Sequence, residues 1–265
     1  MTYEHLSVED SGAVVSVRLN RPQARNALDE ALMQELLAVA QALRSRTDVV
    51  AVLLCGDAKF FSAGMDLKAV QDALTATPRT LLELRQWVRL GPDMCAAWER
   101  IEAVTIAALE GFCVGGAVAL AAACDFRICG AGASMRLPEV PLGMNMSWHS
   151  LPRLTSLIGP ARAKRLTIFG EAVDAATLLA WGLADEVVEA GQAAAAARRW
   201  AAKLEALPPL PVRMSKEAIN AAAGALHHAS TYMDRDQFLL TLGSDDLREG
   251  VDAFLARRPP RFTGN

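Results

Sequence analysis

The sequence predicts an α/β core over residues 1–192 followed by a helical region over residues 193–265. Three observations predict it. Strand and helix patterns alternate twice in the first half of the chain. Both of the buried-strand runs lead into turns rich in small residues. After Gly191 the strand patterns cease.

The first alternation opens at Ala13–Leu19, where β-branched residues alternate as on a half-buried strand. Arg21-Pro22 ends it, since proline cannot donate to a ladder. From Leu28 the apolar positions Leu28, Leu32, Leu36, Val39 and Leu43 recur at helical spacing, with Asp29 and Glu30 well placed near the N-terminus. Val49–Leu54 is a continuous apolar run, the pattern of a strand buried on both faces. The second alternation reads as a long helix over Thr80–Glu102 and a buried strand over Val104–Leu109. A turn at Gly111–Gly116, an alanine-rich helix to Cys124 and a short strand at Phe126–Cys129 follow. Leu74–Thr80 has turn-forming chemistry and is expected to be a mobile loop. Four helices are expected at the end, over Ala193–Leu204, Val212–Ala223, Thr231–Leu242 and Ser244–Arg257. They would cover the core or pack on a neighbouring subunit.

Composition removes several function classes. The chain has 265 residues, of which 52% are hydrophobic, much of that alanine, so the apolar fraction does not imply a membrane protein. Val114–Ala123 is too short to span a bilayer. No basic segment followed by an apolar run opens the chain, so a cytoplasmic location is expected. With 27 Lys+Arg against 30 Asp+Glu there is no basic excess to attract nucleic acid. The five cysteines form no C-x-x-C and read as reduced, buried thiols. His5, His149, His227 and His228 lack metal-ligand spacing, so no metal site is expected.

Two strand-to-helix turns invite a chemical reading: Phe60–Leu67 and Gly115-Gly116. Glycine allows close backbone approach, and the first amides of a helix lack intrahelical partners. Side by side, two such turns could aim two N–H groups at one developing oxyanion. Each alone is ordinary packing.

At these residues the sequence resembles the enoyl-CoA hydratase/isomerase (crotonase) superfamily. Arg21-Pro22-Gln23-Ala24-Arg25-Asn26-Ala27-Leu28 is similar to its R-P-x-x-x-N-A-L segment, and Phe61–Leu67 to F-S-A-G-x-D-L. Gly111–Gly116 with Ala123–Ile128 resembles G-x-x-x-G-G and A-C-D-x-R-I. Pro138–Gly143 resembles P-E-x-x-x-G, and Glu249–Phe254 echoes the C-terminal pattern. The resemblance implies a spiral of β-β-α units and an acyl-CoA thioester substrate, with coenzyme A entering as part of it and no separate cofactor. It also implies a homotrimer or dimer of trimers. The oxyanion hole would be the amides of Met65 and Gly116. Ala24, Arg25, Ala63, Asp66, Leu67 and Lys68 would line the CoA pocket.

One departure from the pattern bears on the reaction. Many hydratases of the family carry two glutamates, one three residues beyond the oxyanion-hole glycine; here that position is Ala119. The other is kept as Glu139. Adding water usually divides the work between two groups, whereas a 1,3-proton shift needs one group that removes and returns a proton. The pattern resembles Δ3,Δ2-enoyl-CoA isomerases, and Trp148 resembles an aromatic found in them. The alternatives are a hydratase in which Glu139 works with an unorthodox partner or a held water, and a non-catalytic acyl-CoA binder. Bland readings stand beside the sharp ones: Glu139 as a turn carboxylate, His149 as a structural histidine instead of an acyl contact, Trp148 as packing, and Asp125 as a structural ion-pair partner.

Overall fold

Residues 3–69 and 79–265 are described in a computed structural model. In chain order they form β1 (Leu6–Asp10), β2 (Val14–Leu19), α1 (Glu30–Arg44), β3 (Ala51–Cys55) and β4 (Phe60–Ser62). Then come α2 (Leu81–Trp87), α3 (Leu90–Glu99), β5 (Val104–Leu109), β6 (Phe112–Val114), α4 (Gly116–Ala123), β7 (Phe126–Gly130) and β8 (Ser134–Arg136). The rest is α5 (Ser150–Phe169), β9 (Val173–Asp174), α6 (Ala175–Trp181) and β10 (Glu186–Val188), followed by α7 (Ala193–Glu205), α8 (Pro209–Ala223), α9 (His227–Thr231), α10 (Asp234–Leu242) and α11 (Asp245–Leu255).

The strands make two sheets. One has six strands in the order β1-β2-β3-β5-β7-β10, parallel except for the β1-β2 hairpin. The other has four in the order β4-β6-β8-β9. Each long inner strand is followed by a short strand of the second sheet and then by helix: β3-β4 and the helical residues 67–69, β5-β6-α4, β7-β8-α5. Repetition of this β-β-α unit gives the spiral that the resemblance implies. It brings the β4-to-helix and β6-to-helix turns to the same edge, because β4 and β6 are neighbours.

The period of two along a strand sorts the buried run of β3 into two cores. Val52 and Leu54 face α1 and α3, packing with Leu36, Val39 and Trp98. Ala51, Leu53 and Cys55 face the other way, onto Ala193, Ala196, Ala197 and Ala201 of α7. Each such leucine contributes about 1.5–3 kcal/mol by leaving water. Helix α7 is therefore a layer on the main sheet, and its small residues let it lie close. Farther on, Lys216 of α8 reaches Asp125 at 2.6 Å, and Asp125 also accepts from the Thr105 amide at 2.7 Å. Asp125 thus has the structural role expected of it. Helices α10 and α11 pack with Phe238, Leu242 and Leu247 on Val88, Leu142 and Met144. All five cysteines are buried and free. Among the described residues no helix is long and apolar enough to cross a membrane.

Three expectations of local structure are corrected. Leu28 precedes α1, whose first turn is capped by the Asp29 carboxylate on the Leu32 amide. The expected helix over 80–102 is two helices broken at Val88-Arg89. Pro92 is the reason: its ring would clash with the carbonyl of Val88 and its missing N–H would leave that carbonyl unbonded. The helix expected over 231–242 breaks after Thr231 and restarts at Asp234, which puts two aspartates in the first turn of α10. The expected loop Leu74–Thr80 lies outside the described residues except for Arg79 and Thr80, and Thr80 caps α2 in a reciprocal pair with Glu83.

Candidate active site

The first turn is held by buried polar groups that come from far along the chain. Asn26 is fully buried at φ 53°; its side-chain amide donates to the Phe61 carbonyl at 3.0 Å, and its Oδ1 accepts from the Arg21 amide at 2.9 Å. Ser62 Oγ donates to the Asn26 carbonyl at 2.6 Å and accepts from the Gly64 amide at 3.1 Å. The Arg21 guanidinium bonds the Ala27 carbonyl, Asp29 and Asp66, the last at 2.8 Å. Leu28 then pairs with the turn: its N–H donates to Gly64 and its carbonyl accepts from Asp66. In such a pairing the intervening residue points its own N–H the other way. The Met65 amide is that N–H, and among the described residues it has no acceptor.

The second turn lies against the first. A Cβ on Gly64 would stand 2.3 Å from the Val114 carbonyl oxygen, so the two backbones touch. Gly64 and Gly115 both have positive φ, 81° and 57°, as only glycine does readily. The Gly116 amide is the first of α4, where the helix offers it no carbonyl, and it too has no acceptor among the described residues. Two unspent amides on abutting turns are what an oxyanion requires.

Glu139 supplies the charge next to them. Its Oε1 lies against Gly115, where a Cβ would be 2.6 Å away. Its Oε2 is sealed from solvent and has no hydrogen-bond partner among the described residues. Burial pushes its pKa up from 4.5 to about 7, although its own backbone amide and the nearby Arg136 pull it back. A close-fitting frame keeps it there. The turn after it bends at Gly143, and a Cβ on Gly250 of α11 would lie 2.4 Å from the Leu142 carbonyl oxygen, so α11 presses directly on that turn.

The sign of the pH dependence follows. A carboxyl with a raised folded pKa contributes stability that is fully present below 4.5 and is lost as pH rises through about 7. The loss amounts to about 3 kcal/mol. A reaction begun by the ionised form runs the other way, gaining rate as pH rises through about 7. Log kcat/KM measured between pH 5 and 9 should climb with unit slope below 7 and level above it; a flat profile there would remove Glu139 as the base.

Trp148 and His149 form the far wall and its support. Both have positive φ, 65° and 56°, at a cost of about 1–3 kcal/mol each for residues with a Cβ. Arg153 holds them, donating from Nη1 to both of their carbonyls while its other nitrogens fork onto Glu99 at 2.7 and 2.9 Å. Asp234, buried, accepts from Ser147 Oγ at 2.6 Å and from the His149 amide at 3.2 Å.

These groups surround a cavity of about 500 Å³. Of the residues singled out from the sequence, Arg25, Ala63, Met65, Asp66, Leu67, Lys68, Gly116, Glu139 and Trp148 line it. Ala24 does not; it sits in the one-turn helix Pro22–Ala24 before the lining begins. Nor does His149, whose pKa is lowered chiefly by burial. The hydrogen bonds that tie His149 to the wall are made by its backbone: its amide donates to Asp234 and its carbonyl accepts from Arg153. Asp66 lines the cavity with its carboxylate already engaged: burial raises its pKa, but Arg21 and the Ala69 and Lys68 amides outweigh that and keep it low. The positioning residues Arg21, Asn26 and Ser62 were not singled out as such, though all three stand inside the quoted motifs. Phe238 of the lining carried no sequence signal beyond being apolar, whereas Phe254 stands in the C-terminal motif and Met144 and Met146 in the bulky segment after Gly143. Among the described residues no cluster of three or more His, Cys, Asp or Glu could hold a metal.

Residues 9–265 match the sequence model of the enoyl-CoA hydratase/isomerase family. A protein of Mycobacterium tuberculosis described as "Probable enoyl-CoA hydratase" is 35% identical over 266 residues, covering 99% of each chain. A crotonyl-CoA hydratase of Syntrophomonas wolfei is 30% identical over 263 residues, again 99% of each. The crystal structure of an enoyl-CoA hydratase/isomerase from Xanthobacter autotrophicus superposes with a TM-score of 0.88 at 30% identity, covering 99% of this chain and 100% of the other.

Proposed function

The chain belongs to the enoyl-CoA hydratase/isomerase family and is an enzyme of that superfamily, and from that premise we propose that it converts a Δ3-enoyl-CoA to its Δ2 isomer. The observation that carries the choice is the count of available acids. Of the described residues lining the cavity, Asp66 and Glu139 are the carboxylates, and Asp66 is bound to Arg21. One carboxylate with a pKa near neutrality can take a proton and give it back.

In this reading the thioester carbonyl accepts from the Met65 and Gly116 amides. Glu139 removes a proton from C2, and the electron pair moves into a dienolate whose oxygen the two amides stabilise. The protonated Glu139 then delivers the same proton to C4, leaving the double bond between C2 and C3 and the base ionised again. Arg25 and Lys68, exposed at the cavity mouth, would meet the CoA phosphates. Nothing is consumed and no other cofactor is needed.

Space supports the same choice. A glutamate at 119 would sit three residues beyond Gly116 on α4, and helical side chains lean back toward the N-terminus. That is the face of Gly116 that the Trp148 indole covers. The second reading, hydration of a 2-enoyl-CoA, is favoured by the hydratase names of the relatives. In it, Glu139 alone would hold and activate water.

The test is a paired assay with a 3-enoyl-CoA and a 2-enoyl-CoA. Isomerisation should exceed hydration by at least about a hundredfold, the reach of one well-placed acid–base group. Hydration as the faster reaction would install the second reading. We also propose assembly as a homotrimer or dimer of trimers, supported by exposed Leu210, Met214, Ile219 and Leu226 on and after α8.

A further inference from the structure

The Trp148 indole occupies a slot cut for it. A Cβ on Gly91 of α3 would lie 2.3 Å from its Cε2, and a Cβ on Gly116 of α4 would lie 2.4 Å from its Cζ3. The ring therefore spans the space between two helices, touching backbone on both sides. Gly116 and Trp148 line the cavity, whereas Gly91 does not. The indole is what separates the cavity from α3. Behind it Arg153 and Asp234 hold the strained Trp148-His149 backbone, so the backbone that carries the ring cannot shift without breaking that clamp. The methionines of the lining are different. Met144 and Met146 are unbranched and can repack around a guest.

We propose that Trp148 is the stop that limits acyl-chain length, restricting this enzyme to short acyl thioesters; the proposal rests on the acyl-CoA reading above. The wall stands beside the very residue whose amide would hold the thioester oxygen. A chain anchored at Gly116 meets the indole within a few carbons of its carbonyl. Longer chains must displace a ring wedged between two backbones, and each misfit methylene lowers affinity by about tenfold or more.

The experiment measures binding of saturated thioesters, which the enzyme cannot turn over. Acetyl-CoA, butyryl-CoA and decanoyl-CoA are titrated calorimetrically into the wild type, Trp148→Leu and Gly91→Ala, each first shown to be folded by circular dichroism. Wild type should prefer butyryl-CoA by at least about tenfold. Trp148→Leu opens the slot and should erase most of that preference. Gly91→Ala pushes the indole toward the cavity and should act in the opposite direction, weakening butyryl-CoA relative to acetyl-CoA. A wild type with no length preference, or an unchanged preference in either folded variant, overturns the stop. Failure of every acyl-CoA to bind the wild type would instead overturn the acyl-CoA reading itself.

Discussion

Replacing Glu139 with glutamine lowers turnover of a 3-enoyl-CoA by about 10²–10⁴-fold, the range of one positioned acid–base group. Glutamine keeps the shape of the side chain and cannot carry the proton between C2 and C4. The loss should fall on kcat, with KM little changed, because the oxyanion amides and the cavity wall stay in place. Stability gives an independent reading of the same substitution. Glu139 is half-buried with Oε2 sealed from solvent and unpartnered among the described residues, and its pKa is raised to about 7. The wild type is therefore penalised above pH 7 by a charge that glutamine does not have. Relative to wild type, Glu139→Gln should be more stable at pH 8.5 than at pH 5.5, read from urea midpoints at both values. A variant that keeps more than a tenth of wild-type turnover would mean that another group moves the proton. A variant that is equally destabilised at both pH values would mean that its inactivity comes from damage to the fold.

How much of this was legible beforehand depended on element length. The buried strands Val49–Leu54 and Val104–Leu109 could be read because an unbroken apolar run has one meaning when both faces are covered. The second sheet could not: β4, β6 and β8 have three residues each and β9 has two, too few to show alternation. Helix α5 escaped because Gly159-Pro160 interrupts it, with Gly159 at φ 75° inside the helix. The break before Pro92 was available to a stricter reading, since proline at the third position of a helix marks where the preceding turn must end.

The site was legible where function uses the backbone and obscure where it uses distant packing. Glycines at 64, 115 and 116 announce close approach, and Glu139 follows in the same quoted pattern. Arg21, Asn26 and Ser62 act through one another across about forty residues of chain, and only the fold shows that they fix a single amide. The support of Trp148 is less visible still. Its clamp joins Glu99, Arg153 and Asp234, which no local pattern connects.

The Gly64→Ala substitution tests the oxyanion turn through its backbone. The new Cβ would stand 2.3 Å from the Val114 carbonyl oxygen and 3.5 Å from Gly115 Cα, and neither can rotate away as a side chain would. Either turn must move, and each carries one of the two proposed donor amides, Met65 on one side and Gly116 on the other. Loss of one such donor lowers kcat by about 10²–10³-fold. The alanine must also adopt φ near 81°, a strain of about 1–3 kcal/mol that lowers stability regardless of contact. Gly12→Ala separates the two effects. Gly12 has φ 83° with nothing within 4 Å of its added Cβ, so it carries the strain without the collision. Both variants should melt earlier than wild type, and only Gly64→Ala should lose turnover. If Gly12→Ala lost as much activity, general destabilisation would account for both. If Gly64→Ala kept wild-type kcat, the Met65 and Gly116 amides would not be the groups that hold the developing charge.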